Sequence, residues 1–186
     1  MGNTIDKFKN KYRIPSNRLQ GYDYGSNGCY SVTICTKNRI HYFGEIVNVV
    51  KTDNYPSLRT TEIRKIAEKF WLEIPNHFPF VILDQFVIMP NHIHGILFIN
   101  KTDYASWQSN KFGCQSQNLG SVIRGFKSSL KRYANENNID FAWQERFYDN
   151  IIRDDKGLNE VRKYIFDNPQ NWNDDESNEK NIIGEL

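Results

Sequence analysis

No stretch of the chain is apolar for long enough to span a bilayer, and the opening residues, "MGNTIDKFKNKYRIPSNR", contain no apolar segment of the kind a secretory signal needs. A cytoplasmic location with no membrane partner is therefore the expectation. Cysteine is scarce: Cys29, Cys35 and Cys114 are odd in number and show no CxxC spacing. That excludes a disulfide framework and a cysteine zinc site, and leaves reduced thiols. A strong net charge is also missing, the formal value being +2. There is no internal repeat and no sign of a second domain.

What is present reads as globular. Hydrophobic residues make up 39% and charged residues 25%, so disorder is not expected for the body of the chain, and aromatics are prominent at 14%. A length of 186 residues fits one domain with appendages, expected over 1–172. From residue 173 onward, "NDDESNEKNIIGEL" carries five acids against one lysine, an acidic and flexible tail in expectation. The body before it is correspondingly basic, which fits a nucleic-acid surface or an ordinary solvated face.

Local patterns give an element order. "CYSVTICTKN" alternates Tyr30, Val32 and Ile34 with polar neighbours, the period of a half-buried strand. "PSLRTTEIRKIAEKFWLEIP" places Ile63, Ile66, Ala67, Phe70 and Trp71 at helical spacing, with Ser57, Thr60 or Thr61 as cap and Pro75 as stop. "FPFVILDQFVIMPNHIHGILFIN" gives two strands joined at Pro90 and Asn91 in a tight hairpin. Residues 100–118 read as a polar inserted loop. A second helix follows with Ile123, Phe126, Leu130 and Tyr133 as its stripe. "FAWQERFYDNIIRDD" holds a last strand or an extended connection, and "LNEVRKYIFDN" is a final helix stopped by Pro169. This order matches an α+β, ferredoxin-like (split βαβ) sandwich with an antiparallel sheet and helices on one face.

Within the second hairpin strand, "VIMPNHIHGILFI" puts His92 and His94 two apart, so both rings project from one sheet face. Alone, such a pair is compatible with a shared metal ion or with hydrogen-bonded histidines near a sheet edge. His41 and His77 read as structural or exposed. On the final helix Tyr164 and Asn168 are four apart and share a face, beside Val161 and Ile165, which can hold the helix to the core. Docked next to the histidines, Asn168 would offer an amide oxygen as a third ligand and Tyr164 a phenol nucleophile. Two imidazoles and an amide oxygen suit Mg2+ or Mn2+ in a nucleotidyl-transfer setting, although imidazole also accepts Zn2+, Co2+ or Ni2+. Arg124, Lys127 and Lys131 at helical spacing, with Arg146 and Arg153 in the aromatic block, are candidate phosphate contacts. Basic residues in "KFKNKYRIPSNR" could form an arm along a hairpin stem.

These residues resemble a known family. "MPNHIHGILF" looks like the HUH motif, histidine, bulky hydrophobe, histidine, of single-tyrosine transposases, and "YIFDNPQNW" resembles the tyrosine-helix motif of their REP-associated branch. "GYDYGSNGCYSVTICTKNR", "GFKSSLKRY" and "WQERFYDNIIRDD" are similar to further blocks of that branch. The resemblance implies an HUH nuclease of ferredoxin-like fold, a divalent metal, and single-stranded DNA with palindromic hairpins as substrate. It implies His92, His94 and Asn168 as metal ligands and Tyr164 as the nucleophile that forms a 5′ phosphotyrosine and frees a 3′ hydroxyl. A monomer is expected from this branch, a dimer exchanging tyrosine helices being the alternative. Competing readings are a noncatalytic nucleic-acid binder on the same fold and an HUH replication initiator or relaxase.

Overall fold

The computed structural model describes residues 19, 21–47, 57–101 and 117–174. Cys114, most of the inserted loop, the N-terminal basic arm and the bulk of the acidic tail lie outside them. In chain order the elements are β1 (Gly28–Cys35), β2 (Gly44–Val47), β3 (Ser57–Thr60), α1 (Glu62–Leu72), the short α2 (Ile74–His77), β4 (Val81–Ile88), β5 (His92–Ile99), α3 (Leu119–Glu136), β6 (Tyr148–Ile152) and α4 (Asp155–Asp167). Two 3-10 turns, Lys37–Arg39 and Trp172–Asp174, complete the set.

β1, β4, β5 and β6 form one antiparallel sheet in the order β4-β5-β1-β6, which is the split βαβ arrangement expected. The block from residue 141 does supply the last strand, β6, on the outer side of β1. The β2 and β3 pairing is a separate two-stranded sheet that the sequence pattern did not announce.

One sheet face carries the main core. Tyr30, Val32 and Ile34 of β1 and Ile93, Leu97 and Ile99 of β5 meet Ile63, Ala67 and Trp71 of α1 and Val122, Ile123, Phe126 and Leu130 of α3. α1 starts where the Thr61 hydroxyl accepts from the Arg64 N–H. α3 starts at a capping box, the Asn118 side chain accepting from Ser121 N while Ser121 Oγ accepts from Asn118 N. Gly95, between the histidines and the apolar end of β5, has a steric reason. A Cβ there would stand 2.3 Å from Trp71 Cζ2, so the strand can seat this indole only by lacking a side chain.

The expectation that helices lie on one face holds for α1 and α3 and not for α4. Leu158, Val161 and Ile165 of α4 pack with Cys29, Val87, Ile96, Phe98 and Ile152, residues of the opposite parity on the same strands. The physical reason lies in the sheet: β1 and β5 are apolar on both faces over part of their length, and each face needs a cover. α4 is thereby placed on the face that bears His92 and His94.

Candidate active site

His92 opens β5 directly after the Met89–Asn91 turn, and the turn is tied to β1. Thr36 donates from N and Oγ1 to the Asn91 carbonyl, each at 2.9 Å, and Phe43 N donates to Pro90 O at 3.0 Å. The imidazole is fully buried, with Nδ1 2.8 Å from Asn91 Oδ1. With Nδ1–H donated to that oxygen the lone pair sits on Nε2, which is buried and has no hydrogen-bond partner among the described residues. Burial, first of all, holds this imidazole well below the ordinary histidine range, and the nearby His94, Arg39 and His41 act in the same direction. It is therefore neutral at physiological pH.

His94 lies two residues on, its ring centroid 4.5 Å from that of His92. Its Nδ1 is 2.8 Å from Thr33 Oγ1 on the neighbouring strand, where Thr33 is its register partner. With the hydroxyl accepting from Nδ1–H, His94 too presents Nε2 as a lone pair. Each histidine thus has a protein group on one nitrogen that fixes ring orientation, the usual outer-shell support of metal-binding imidazoles.

α4 brings the remaining pair. Asp154 caps the helix by accepting from Gly157 N at 2.7 Å, and Ile165, 2% exposed, anchors its apolar stripe. Tyr164 stands 52% exposed with its ring edge-on to His94, centroids 5.3 Å apart. Asn168, one turn on at the helix C-cap before Pro169, is 2% exposed. A cleft of about 280 Å³ opens between helix and sheet, lined by Ser31, Thr33, His94, Glu160, Tyr164 and Ile165. So β5 and α4, some seventy residues apart in sequence, place two histidines and the tyrosine on one face of the sheet, with Asn168 buried one turn further along.

The donor set fits a divalent ion in kind: two imidazole rings and a carboxamide oxygen. Among the described residues no group of three His, Cys, Asp or Glu side chains gathers to hold a metal, and Asn168 carries an amide oxygen as a further donor of another type.

Two residues here were given no role in the site from the sequence. Trp172 is buried, and its ring lies 6.0 Å from that of His92 and 5.6 Å from that of His41. It closes the deep side of the site. His41, read from sequence as structural or exposed, is half-buried in this aromatic group. Trp172 ends the quoted stretch "YIFDNPQNW" and His41 has no local motif; their meeting depends on the Thr36 to Asn91 bonds and on the chain turning after Pro169.

The candidate phosphate contacts are not gathered with the histidines. Arg124, Lys127 and Lys131 are on α3, which covers the other sheet face. Lys127 Nζ donates to the carbonyls of Gln144 and Arg146 at 2.6 and 2.8 Å, and Lys131 Nζ to that of Phe141 at 2.6 Å. These ammonium groups tie α3 to the segment leading into β6, and burial, first of all, lowers the pKa of Lys127. A shallow concavity of about 490 Å³, lined by Lys127, Lys131, Arg132 and Trp143, lies there too. Arg124, Arg146 and Arg153 are exposed, and Arg153 just precedes α4.

No family model matches the chain. An uncharacterised protein of Haemophilus influenzae is 36% identical over 169 residues, spanning 86% of this chain and 89% of that protein. A second Haemophilus influenzae protein, described as "Putative REP-associated tyrosine transposase", is 29% identical over 139 residues, 72% of each chain. Among solved structures, a REP-associated tyrosine transposase bound to a REP hairpin has the same fold, with a TM-score of 0.55 at 18% identity over 84% of this chain and 73% of that one.

Proposed function

We propose that the chain is a REP-associated tyrosine transposase and that it nicks and rejoins single-stranded DNA carrying palindromic hairpins, a reading supported by its 29% identity to a protein described as such a transposase. The observation that carries this reading is the position of Tyr164. Its ring is 5.3 Å from that of His94, on the sheet face that also bears His92, with Asn168 one turn along the same helix.

The phenol oxygen of Tyr164 attacks phosphorus, the bond from phosphorus to the 3′ oxygen breaks, and that oxygen leaves as a 3′ hydroxyl. The product is a 5′ phosphotyrosine on Tyr164. A 3′ hydroxyl attacking the same phosphorus releases the phenol and reseals the strand, so no external energy source enters. A phenol is a weak nucleophile while protonated, and Glu160, which lines the same cleft one helical turn earlier, is the carboxylate there to accept the proton.

His92, His94 and Asn168 would hold a divalent ion, Mg2+ or Mn2+, which when bound supplies positive charge to a nonbridging phosphate oxygen. The chain's own part is geometric: β5 and α4 fix acceptor and phenol relative to one another before substrate arrives. The exposed Arg124, Arg146 and Arg153 are offered as contacts to the DNA backbone, with Lys127 and Lys131 serving first to brace α3. A monomer contains all four site residues.

The test is a labelled single-stranded hairpin DNA from the flanks of the gene, incubated with and without Mn2+ and resolved on a denaturing gel. Wild type should give a covalent adduct with the metal present, and Tyr164→Phe none. An adduct of equal yield from Tyr164→Phe removes the tyrosine from its role, and no adduct from wild type with any flank removes the activity.

A further inference from the structure

We infer that Asp84 and Arg162 are positioning residues, a bidentate fork that sets the roll of α4 and so aims Tyr164 at the histidine site. This rests on the nicking function proposed above.

β4 contains a bulge. Leu83 pairs with Leu97 and Phe86 with Gly95, so two residues, Asp84 and Gln85, stand opposite the single Ile96. Without the extra residue the alternation before the bulge would continue and carry Val87 to the main core. With it, Val87 joins the α4 face, to which Asp84, alternating with the core-facing Val81 and Leu83, already projects. The carboxylate is held in place by its own backbone, accepting from Gln85 N at 2.7 Å. Arg162 then donates twice, Nε to Oδ1 at 2.9 Å and Nη2 to Oδ2 at 2.6 Å. That is the planar two-bond geometry that a point charge such as lysine cannot reproduce.

The use of such a device follows from the character of the apolar contact that docks the helix. On this face the buried members of the apolar cluster are Cys29, Ile96 and Ile165, with Val87, Phe98, Ile152, Leu158 and Val161 only partly buried beside them. Apolar contact is non-directional, and a patch this small resists sliding and rolling weakly. The positions on α4 make the fork an effective brace. At 3.6 residues per turn Arg162 and Tyr164 stand about 200° apart, flanking opposite edges of the stripe formed by Leu158, Val161 and Ile165. A roll that withdraws Tyr164 from His94 must move Arg162 relative to Asp84, and directional hydrogen bonds lose strength steeply when bent. The fork grips the edge strand β4, and the tyrosine reaches across toward β5 and β1, so the helix is held from both flanks.

The experiment is single-turnover cleavage of the hairpin DNA at saturating enzyme, with DNA affinity measured separately in the Tyr164→Phe background. Asp84→Asn and Arg162→Lys should slow the rate of adduct formation roughly ten- to hundredfold, the size of effect that a small misplacement of a reacting group produces, with affinity unchanged. The exchange Asp84→Arg with Arg162→Asp should recover part of the lost rate. Adduct formation at the wild-type rate by Arg162→Lys, with its melting temperature unchanged, overturns the inference. So does an equal loss of affinity and rate in both single variants with no recovery in the exchange. Wild type failing to form any adduct would instead overturn the nicking function itself, a result distinguishable because it does not depend on residues 84 and 162.

Discussion

The two faces of the sheet solve different problems with the same four strands. Toward α1 and α3 the strands present Tyr30, Val32, Ile34, Ile93 and Leu97, and these meet Trp71, Phe126 and Leu130 in a continuous aromatic and aliphatic core. Toward α4 they present Thr33, His92 and His94 beside a small apolar patch at Cys29 and Ile96. The first face is built for burial and the second for orientation, its groups held by directional hydrogen bonds such as Thr33 to His94, Asn91 to His92 and the two from Arg162 to Asp84. Stability and the proposed chemistry are therefore separable by mutation, because residues that carry one lie on the far side of the sheet from residues that carry the other.

The largest effect should come from the first face. Trp71 is fully buried and touches Phe86, Phe126 and the backbone of β5 at Gly95. Trp71→Ala should cost about 3–5 kcal/mol of folding free energy, the range for deleting a large aromatic from a packed core. Tyr164→Phe should leave the urea midpoint where it is, since the Tyr164 side chain is 52% exposed and loses no packing. Equal losses in the two variants would erase the distinction between the faces.

How much of this could be read from the chain follows the same division. The core face was legible because burial imposes periodicity: the alternation through Tyr30, Val32 and Ile34 and the helical spacing of Ile63, Ala67 and Trp71 are direct consequences of one-sided packing. The histidine pair and the Tyr164 and Asn168 pair were likewise legible as pairs. Their meeting was implied by the family resemblance and not by the pattern itself, because periodicity says that a helix has an apolar stripe and not which side of a sheet it covers. Hence helices were expected on one face, and α4 is on the other. The bulge in β4 left no local signature, so Asp84 did not stand out. Lys127 and Lys131 looked like free cations because a sequence does not display the carbonyls of Phe141 and Gln144 that receive them.

A smaller and sharper probe of the first face is Gly95→Ala. The added Cβ would sit 2.3 Å from Trp71 Cζ2, inside any tolerable contact, so the indole or the strand must shift. Overpacking of this kind costs about 1–3 kcal/mol. Because His94 is the adjacent residue on the opposite face, the substitution also asks whether strain crosses the sheet. If the faces are independent, unfolding shifts to lower urea while adduct formation in the folded fraction holds its rate. If cleavage falls in proportion to the lost stability, the sheet transmits strain and the independence fails.

The smallest effect separates the faces by pH. The Arg162 hydrogen bonds hold the Asp84 carboxyl below the usual carboxylate range, burial acting against them and the Gln85 N–H reinforcing them. A carboxyl whose folded pKa lies below its unfolded value stabilises the protein at pH above the unfolded value, and that contribution is lost as pH falls through the folded one. The advantage of wild type over Asp84→Asn in urea unfolding should accordingly be constant from neutral pH down to about 4 and then shrink as the solution becomes more acidic. The deficit of Trp71→Ala, which removes no ionisable group, should keep its size over the same window. A gap between wild type and Asp84→Asn that is flat through acid pH would mean that the carboxylate's charge contributes nothing to docking α4. The fork would then be holding the helix by hydrogen-bond geometry alone.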